Sequence, residues 1–313
     1  MMDIIGAVFS VTFLAMVIRQ MTPLLLATLG GLIADLSGAL NVALEGMMLI
    51  SALTAVLVSV HYPWYVAVLA GMSAGSALGL MMAFFHLRMR ADIILVGFAV
   101  NIVATGGTVF ALSLATGGDK GTSINLVSKA IPAVNLPFLR DIPVVGQPLH
   151  GMLSGHSVLT WFAFASVFGL WFFLYRMRGG LWLRAVGEYP AAPAAAGIKV
   201  DTVRMWGLIA SGAFAGLAGA QLAMFNYVGF TRDMTAGRGF IALGAVLLGA
   251  RHPVGACVAA LLFGFFDALS FVIATRAQNF PAELIQAMPF AVTIVALIFF
   301  AWRAQKAKAL RGA

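Results

Sequence analysis

Apolar runs of about 20 residues recur from one end of this chain to the other, and they constrain its fold more than any other feature. A run of that length is what an α-helix needs to cross the hydrocarbon core of a bilayer. The chain has 313 residues, of which 62% are hydrophobic and only 10% are charged, against about a quarter charged in soluble domains. We therefore predict an all-α polytopic membrane protein.

The hydropathy pattern predicts about nine or ten membrane-embedded helices in a single transmembrane domain that spans residues 1–313. The apolar stretches are 4–18, 20–37, 46–61, 63–86, 92–117, 156–176, 204–228, 237–250, 253–275 and 281–302. Arg19 and Gln20 interrupt an otherwise continuous apolar run, so the opening pair forms either one element or two. The first stretch is expected to be a retained membrane segment rather than a cleaved signal. The stretch 237–250 is short, so it either spans the membrane or re-enters it.

The basic residues predict which side of the membrane each connection faces. With the C-terminus in the cytoplasm, the residues inside are Arg88, Arg90, Arg176, Arg178, Arg184, Lys199, Arg204, Arg251, Arg303, Lys306, Lys308 and Arg311. The residues outside are then Lys120, Lys129, Arg140, Arg232, Arg238 and Arg276. The larger group lies inside, as is typical of membrane proteins, so the net charge of +8 needs no nucleic-acid partner.

Two hydrophilic connections are too long to be simple turns. The stretch 118–155 is predicted to be an external loop, and the stretch 177–203 is predicted to lie in the cytoplasm. Within the cytoplasmic stretch, Pro190 can begin a short helix and Gly197 can end it.

Glycines at helical spacing indicate close helix packing. Gly71, Gly75 and Gly79 recur every four residues in one apolar stretch, and Gly212 and Gly216 do so in another. Their missing side chains let two backbones approach closely. We predict that they pack helices of this one chain together rather than form a subunit interface, because the motif is a general one.

Polar residues at membrane depth are candidates for a solute pathway, since a charge at a helix centre costs about 2.5–3.5 kcal/mol unless it is paired or hydrated. Aromatic rings beside amides would suit a sugar or a nucleobase, while amides between helices are the structural alternative. The pathway candidates are Asn41, Glu45, Asn101, Gln221, Phe225, Asn226, Phe240 and Asp267. Asp35 and Glu45 bracket a polar break in the helical pattern. The backbone groups of this break need hydrogen bonds from other protein groups or from water.

The sequence lacks motifs for catalysis. It has no phosphate loop of the G-x-x-x-x-G-K-[ST] type, so the chain is not expected to hydrolyse ATP. The 5 histidines are scattered without an H-E-x-x-H pair, and Cys257 is the single cysteine. We predict no catalytic residue, no metal site and no cofactor bound by this chain.

Four ordered motifs resemble the permeases of the branched-chain amino acid and simple-sugar importer superfamily, and within it the nucleoside and simple-sugar branch. They are SGALNVALEGMMLI at 37–50, RAVGEYPAAPAAAGI at 184–198, SGAFAGLAGA at 211–220 and MTAGRGFIAL at 234–243. The resemblance covers most of the chain. It implies a permease subunit of an ATP-binding-cassette (ABC) importer for nucleosides, purines or simple sugars, in the inner membrane of a bacterium.

The resemblance also implies partners. They are a second permease subunit, often a paralogous chain, two ATPase subunits on the cytoplasmic face that hydrolyse the ATP, and an external solute-binding protein. The segment that would couple to the ATPase comprises Gly187, Glu188, Tyr189, Pro190, Ala191, Ala192, Ala195 and Gly197. It departs from the family pattern at Tyr189, where an Asn is usual, and at Pro193.

The residues by themselves leave other transport classes open. An ion-coupled secondary transporter of a small polar solute would use intramembrane carboxylates, for which Glu45 and Asp267 are the candidates. A passive channel would need a ring motif or a filter-like loop, and the sequence shows neither.

Overall fold

The computed structural model describes residues 10–123, 126, 128–137, 140, 146–276, 291, 294, 295 and 298. Its helices are α1 (Val11–Leu36), α2 (Leu44–His61), α3 (Trp64–Ala83), α4 (Ile93–Thr116), α5 (Gly146–Leu153), α6 (Val158–Arg176), α7 (Arg178–Glu188), α8 (Ala191–Ala195), α9 (Val200–Gln221), α10 (Arg238–Leu248) and α11 (Pro253–Arg276). Wide π-helical turns, Phe84–Arg88 and Leu222–Asn226, extend α3 and α9. The short strands β1 (Ala133–Val134) and β2 (His156–Ser157) pair antiparallel.

The predicted all-helical membrane fold is confirmed. Within the described residues, 7 helices are long and apolar enough to cross a membrane: α1, α2, α3, α4, α6, α9 and α11. The spans of α3 and α9 include the π turns that extend them. Helix α10 has 11 residues, which gives a rise of about 16 Å against a hydrocarbon core of about 30 Å. It is therefore too short to cross by itself. Most of the predicted stretch 281–302 lies outside the described residues.

The sequence left open whether the two opening stretches, 4–18 and 20–37, form one element or two. From the start of α1 onward they form one continuous helix. The charge of Arg19 does not break it, because Nη2 of Arg19 donates to the carbonyl oxygens of Phe225 at 2.6 Å and Asn226 at 3.1 Å. A charge with such partners can sit on the surface of a helix without ending it.

Helix α1 lies at the centre of the bundle. Every residue from Leu24 to Ile33 is buried, and α6, α9, α10 and α11 all pack on it. Gly31 makes room for its neighbours, since a Cβ there would lie 3.1 Å from a methyl group of Leu44 and 3.2 Å from one of Val246. Because lipid is as apolar as these side chains, close packing of this kind is what holds the helices together.

Glycines bring α3 and α9 into backbone contact. A Cβ at Gly75 would lie 3.0 Å from Cα of Gly216, and a Cβ at Gly79 would lie 3.0 Å from the carbonyl carbon of Leu208. In the other direction, a Cβ at Gly212 would lie 2.8 Å from the carbonyl carbon of Gly75. The predicted packing between helices of one chain is therefore confirmed.

We expect Gly75→Ala to destabilise the protein, because the added methyl group meets the backbone of α9 and forces the two helices apart. The expected cost is about 1–3 kcal/mol, measured as a lower melting temperature of the purified protein in detergent. Gly106→Ala in α4 is the matched control, since a Cβ there meets no heavy atom of the described residues within 4 Å. Equal melting temperatures for the two variants would contradict the backbone contact.

Candidate functional site

The polar break between α1 and α2 folds as a tight turn against two other helices. Gly38 has a φ of 77°, and a Cβ there would lie 3.1 Å from Cα of Gly187 in α7. Ser37 packs against Gly207 of α9, where a Cβ would lie 2.7 Å from Oγ of Ser37. The turn thus joins the central helix of the bundle to the end of α7.

Two asparagines form hydrogen bonds with groups in and beside this turn. Asn41 is fully buried, and its Nδ2 donates to Oγ of Ser211 at 2.9 Å while its Oδ1 accepts from a backbone N–H two residues on. Asn101 of α4 donates from Nδ2 to the carbonyl oxygen of Val42 at 3.0 Å and accepts at Oδ1 from the N–H of Gly46 at 2.8 Å. Protein groups therefore supply the hydrogen bonds that interrupted backbone needs inside a membrane.

Glu45 caps the N-terminus of α10. Its Oε1 accepts from the N–H of Gly237 at 2.7 Å, and its Oε2 accepts from the N–H of Gly239 at 2.6 Å. Helix N-termini carry unpaired N–H groups and a partial positive charge, so a carboxylate is favourable there. Residue 239 has to be glycine, because a Cβ would lie 2.6 Å from Cα of Glu45. Both oxygens of Glu45 thus fasten α2 to α10.

Asp267 of α11 forms an ion pair with Arg238, the first residue of α10. Nη2 of Arg238 donates to Oδ2 of Asp267 at 2.8 Å, and the side chains of Arg238 and Asp267 are 11% and 25% exposed. Arg238 stands between the two glycines whose N–H groups Glu45 binds. The start of α10 therefore gathers both acidic pathway candidates.

A cavity of about 440 Å³ opens beside this ion pair. It is lined by residues of α1, α11, the start of α10 and the loop 227–236. The lining residues are Gln20, Leu24, Tyr227, Thr231, Arg232, Asp233, Met234, Ala236, Arg238, Ile241, Phe263, Asp267, Ser270, Phe271 and Ala274. The charges of the lining balance, since the lining contains two arginines and two aspartates. Small-ligand pockets have volumes of about 300–1,000 Å³ with a few polar groups among apolar ones, and this cavity fits that description.

The loop 227–236, which forms one wall of the cavity, has an unusual backbone. Val228 and Asp233 have φ angles of 49° and 56°, a region that is rarely occupied by residues other than glycine, and least of all by β-branched ones. Such conformations persist where neighbouring structure enforces them. Here Ser123 supplies a restraint, because its backbone N–H donates to the carbonyl oxygen of Phe230 at 2.8 Å and its Oγ accepts from the N–H of Phe230 at 2.7 Å.

Phe225 and Asn226 are held by Arg19 and do not line the cavity. The guanidinium carbon of Arg19 lies 4.9 Å from the centre of the Phe225 ring. Nδ2 of Asn226 donates to the carbonyl oxygen of Arg19 at 3.4 Å. Pro23, four residues on in α1, cannot donate to that carbonyl because proline has no N–H. These two candidates therefore fasten the end of α9 to α1.

Gln221 belongs to a buried chain of polar groups between α1, α6 and α9. Its Oε1 accepts from Oγ of Ser157 at 2.7 Å, and that Oγ lies 3.1 Å from Oγ1 of Thr160. Oγ1 of Thr160 also accepts from Oγ1 of Thr22 at 3.1 Å. Nε2 of Gln221 has no partner among the described residues. The chain of hydroxyl groups joins three helices in the protein interior.

His156 lies in β2, immediately before α6. Its Nε2 lies 2.8 Å from the carbonyl oxygen of Met152 and is the donor. Burial lowers the pKa of His156 from its ordinary value; the bond to Met152 opposes this change, and the positive charge of Arg19 adds to it. The ring is therefore neutral near pH 7.

The structure separates the predicted pathway residues into groups. Asp267 lines the cavity, and Glu45 binds the helix end that carries its ion-pair partner. The candidates that join helices are Asn41, Asn101, Gln221, Phe225 and Asn226. Phe240 is 41% exposed and is not among the cavity-lining residues.

Sequence reasoning missed Arg238, Gln20 and Tyr227 as cavity residues. Arg238 was assigned to a connection outside the membrane, although it lies within the apolar stretch 237–250. That position was the available signal, since a charge inside an apolar run calls for a partner. Gln20 was marked only as a polar interruption of the opening apolar run, and Tyr227 only as an aromatic residue close in sequence to the candidate amides.

The segment predicted to couple to an ATPase forms the end of α7 and the five-residue helix α8. Its exposed members are Glu188, Tyr189, Pro190, Ala191, Ala192, Ala195 and Gly197. Gly187 is partly buried, because it lies against the turn after α1, and a Cβ there would lie 2.8 Å from the carbonyl carbon of Leu36. Pro193, the unusual residue of this segment, is buried in α8.

A bundle of membrane-spanning helices with a largely apolar, charge-balanced cavity is the architecture expected of a membrane permease. The family described as "Branched-chain amino acid transport system / permease component" has a sequence model that matches residues 13–297, and the chain belongs to this family. It is a non-catalytic membrane subunit of an ABC transporter, whose partners include an ATPase and a solute-binding protein. The predicted multi-pass permease is thus confirmed.

Three relatives with named solutes indicate the branch of the family to which the chain belongs. The chain is 36% identical to the "Guanosine ABC transporter permease protein NupQ" of Bacillus subtilis, over 92% of this chain and 91% of that protein. It is 33% identical to the "Nucleoside ABC transporter permease protein NupC" of Lactococcus lactis, over 92% of both. It is 31% identical to the "Putative glucose ABC transporter permease protein TsgC13" of Haloferax volcanii, over 93% of this chain and 85% of that protein. The chain is therefore an importer permease of the nucleoside and sugar branch.

We expect Glu45→Gln to destabilise the protein, because an amide NH₂ would face one of the two N–H donors at the start of α10 and the negative charge would be lost. The expected cost is about 1–3 kcal/mol, measured as a lower melting temperature in detergent. Glu188→Gln is the control, since that side chain is exposed. A Glu45→Gln protein as stable as the wild type would show that the cap is dispensable.

Proposed function

We propose that this chain and a second, paralogous permease chain form the translocation pathway of a bacterial ABC importer whose solutes are nucleosides. The cavity beside the ion pair of Arg238 and Asp267 carries the proposal. Its volume, its balanced charges and its aromatic rings fit a neutral solute that has both hydroxyl groups and a base. Purines and simple sugars share parts of this chemistry and are the neighbouring solute classes.

The names of the relatives support the same solutes, since two of them are described as guanosine or nucleoside permeases. In our proposal Asp267 and other cavity-lining side chains contact the solute. The asparagines and Gln221 act indirectly, by holding the helices whose positions define the cavity. Specificity for one nucleoside would also depend on the second permease chain and on the binding protein.

The contacts of α7 support a route for coupling to the ATPase. The exposed residues after Gly187 offer a docking surface for a partner, while Gly187 itself lies against the backbone at Leu36 and Gly38. The same turn leads into α2, where Glu45 binds the start of α10. A displacement of α7 and α8 would therefore reach Arg238 and the cavity through packed backbone, as a rigid-body movement.

The charge distribution supports a cytoplasmic position for the coupling segment and the C-terminus. Near α7, Arg251 pairs with Asp35 at 2.6 Å, and the guanidinium of Arg184 lies 4.5 Å from the centre of the Tyr175 ring. Basic residues concentrate on the cytoplasmic side of membrane proteins. In this orientation the 118–155 connection lies outside and would help to seat the binding protein.

The central test is uptake of radiolabelled guanosine into proteoliposomes that contain the complete complex, with ATP enclosed or absent and the binding protein added or omitted. We expect uptake only when both are present. Uptake that is driven by an ion gradient without either would instead identify a secondary transporter. Glu45 argues against that alternative, since both of its oxygens already accept hydrogen bonds from the protein, and the charge of Asp267 is already paired with Arg238.

The coupling route predicts that Gly187→Ala will separate ATP hydrolysis from transport. The added methyl group meets the backbone at Leu36, so the complex should still hydrolyse ATP while guanosine uptake falls about fivefold or more, the lower range of coupling between sites. Gly169→Ala in α6 is the matched control, because a Cβ there meets no described atom within 4 Å. Normal uptake by the Gly187→Ala complex would exclude this contact from the coupling route.

A further inference from the structure

The ion pair at the cavity uses only half of the Asp267 carboxylate. Oδ2 accepts from Nη2 of Arg238 at 2.8 Å, whereas Oδ1 accepts no hydrogen bond from the part of the chain that the structure describes. The side chain of Asp267 is 25% exposed and lines the cavity. A carboxylate oxygen is therefore available to a solute there.

Stability does not explain why an ion pair is kept at this position. The cost of removing two charges from water largely cancels their attraction, and apolar replacements of buried pairs are often as stable. Ionisable side chains inside membrane proteins are expensive and are usually retained for a function. Oδ1 of Asp267 suggests such a function, since it remains a strong hydrogen-bond acceptor after Arg238 has fixed the position of the carboxylate.

The surrounding charges restrict what this acceptor can bind. Arg238 neutralises Asp267, and the second lining arginine, Arg232, is matched by Asp233. A cation would therefore gain little net attraction in the cavity, while a neutral donor such as a hydroxyl group would gain a charge-assisted hydrogen bond. Rings of Tyr227 and Phe271, which are 49% and 51% exposed, offer surfaces for a base in the same cavity.

We propose that Asp267, positioned by Arg238, accepts hydrogen bonds from the vicinal hydroxyl groups of the ribose ring and so makes the permease select ribonucleosides over 2′-deoxyribonucleosides. This inference rests on the proposed nucleoside function. A ribose has two adjacent hydroxyl donors, and the loss of one removes a charge-assisted hydrogen bond to Oδ1 of Asp267. A site built around a hydroxyl group discriminates strongly against an analogue that lacks it.

The test compares uptake of guanosine and 2′-deoxyguanosine by the complete complex in proteoliposomes, with ATP and binding protein present. The ratio of the two initial rates is compared between wild type and Asp267→Asn. The binding protein is identical in both complexes, so a change in this ratio belongs to the permease. We expect guanosine to be preferred by the wild type, and the preference to fall about tenfold in the variant, as for one hydrogen bond to a charged group.

Two further variants make the result decisive. The double variant Arg238→Gln, Asp267→Asn removes both charges of the pair, so Arg238 is not left without its carboxylate. The preference for guanosine over 2′-deoxyguanosine should fall in this variant as well. The control is Thr275→Val, on the same helix but outside the cavity lining. Among the described residues, the hydroxyl of Thr275 bonds only to backbone of α11. This control should keep the wild-type ratio.

The outcomes separate this inference from the proposed function. A wild-type complex that takes up both nucleosides equally, or variants that keep the wild-type ratio, would overturn the role of Asp267 and leave the nucleoside importer standing. Failure of both charge variants to assemble would assign the pair to structure and overturn the inference too. A wild-type complex that hydrolyses ATP yet moves neither nucleoside would overturn the proposed function itself.

Discussion

The site depends on one interaction, the capping of the N-terminus of α10 by the carboxylate of Glu45. Helix α10 begins among other helices rather than in water, and lipid offers no acceptor for its first N–H groups. Glu45 supplies two acceptor oxygens, to Gly237 and Gly239. The cap places Arg238 where it can pair with Asp267, and that pair borders the cavity. One hydrogen-bonded carboxylate thus connects the turn after α1 to the place where a solute would bind.

Backbone contacts at glycines explain how such a connection can transmit movement. At Gly75, Gly187 and Gly239 the neighbouring backbone is too close for a side chain. Packed interfaces of this kind resist gradual deformation and change by switching between discrete arrangements. A push on α7 would therefore displace the turn and α10 together. The cavity lies at the far end of this series of contacts, which suits a transporter that alternates between two states.

Hydropathy predicted most helices closely, as the stretch 92–117 and the helix Ile93–Thr116 show. The requirement for an apolar surface about 20 residues long is local, so it can be recognised in sequence. The sequence could not decide whether the opening pair is one helix or two, because the partners of Arg19 lie 206 and 207 residues away. Asn226 was similarly ambiguous, since its contact with the carbonyl oxygen of Arg19 depends on a helix from the other end of the chain.

The sequence by itself determined that this chain is a helical membrane protein, and its four ordered motifs determined the permease family. It also determined close packing at the glycine repeats, because spacing by four places them on one helix face. Only the tertiary structure decided which polar residues face the cavity and which join helices. The physical reason is that a buried polar group is satisfied by whichever partner folding brings to it, and for Glu45 and Asp267 those partners are distant in sequence.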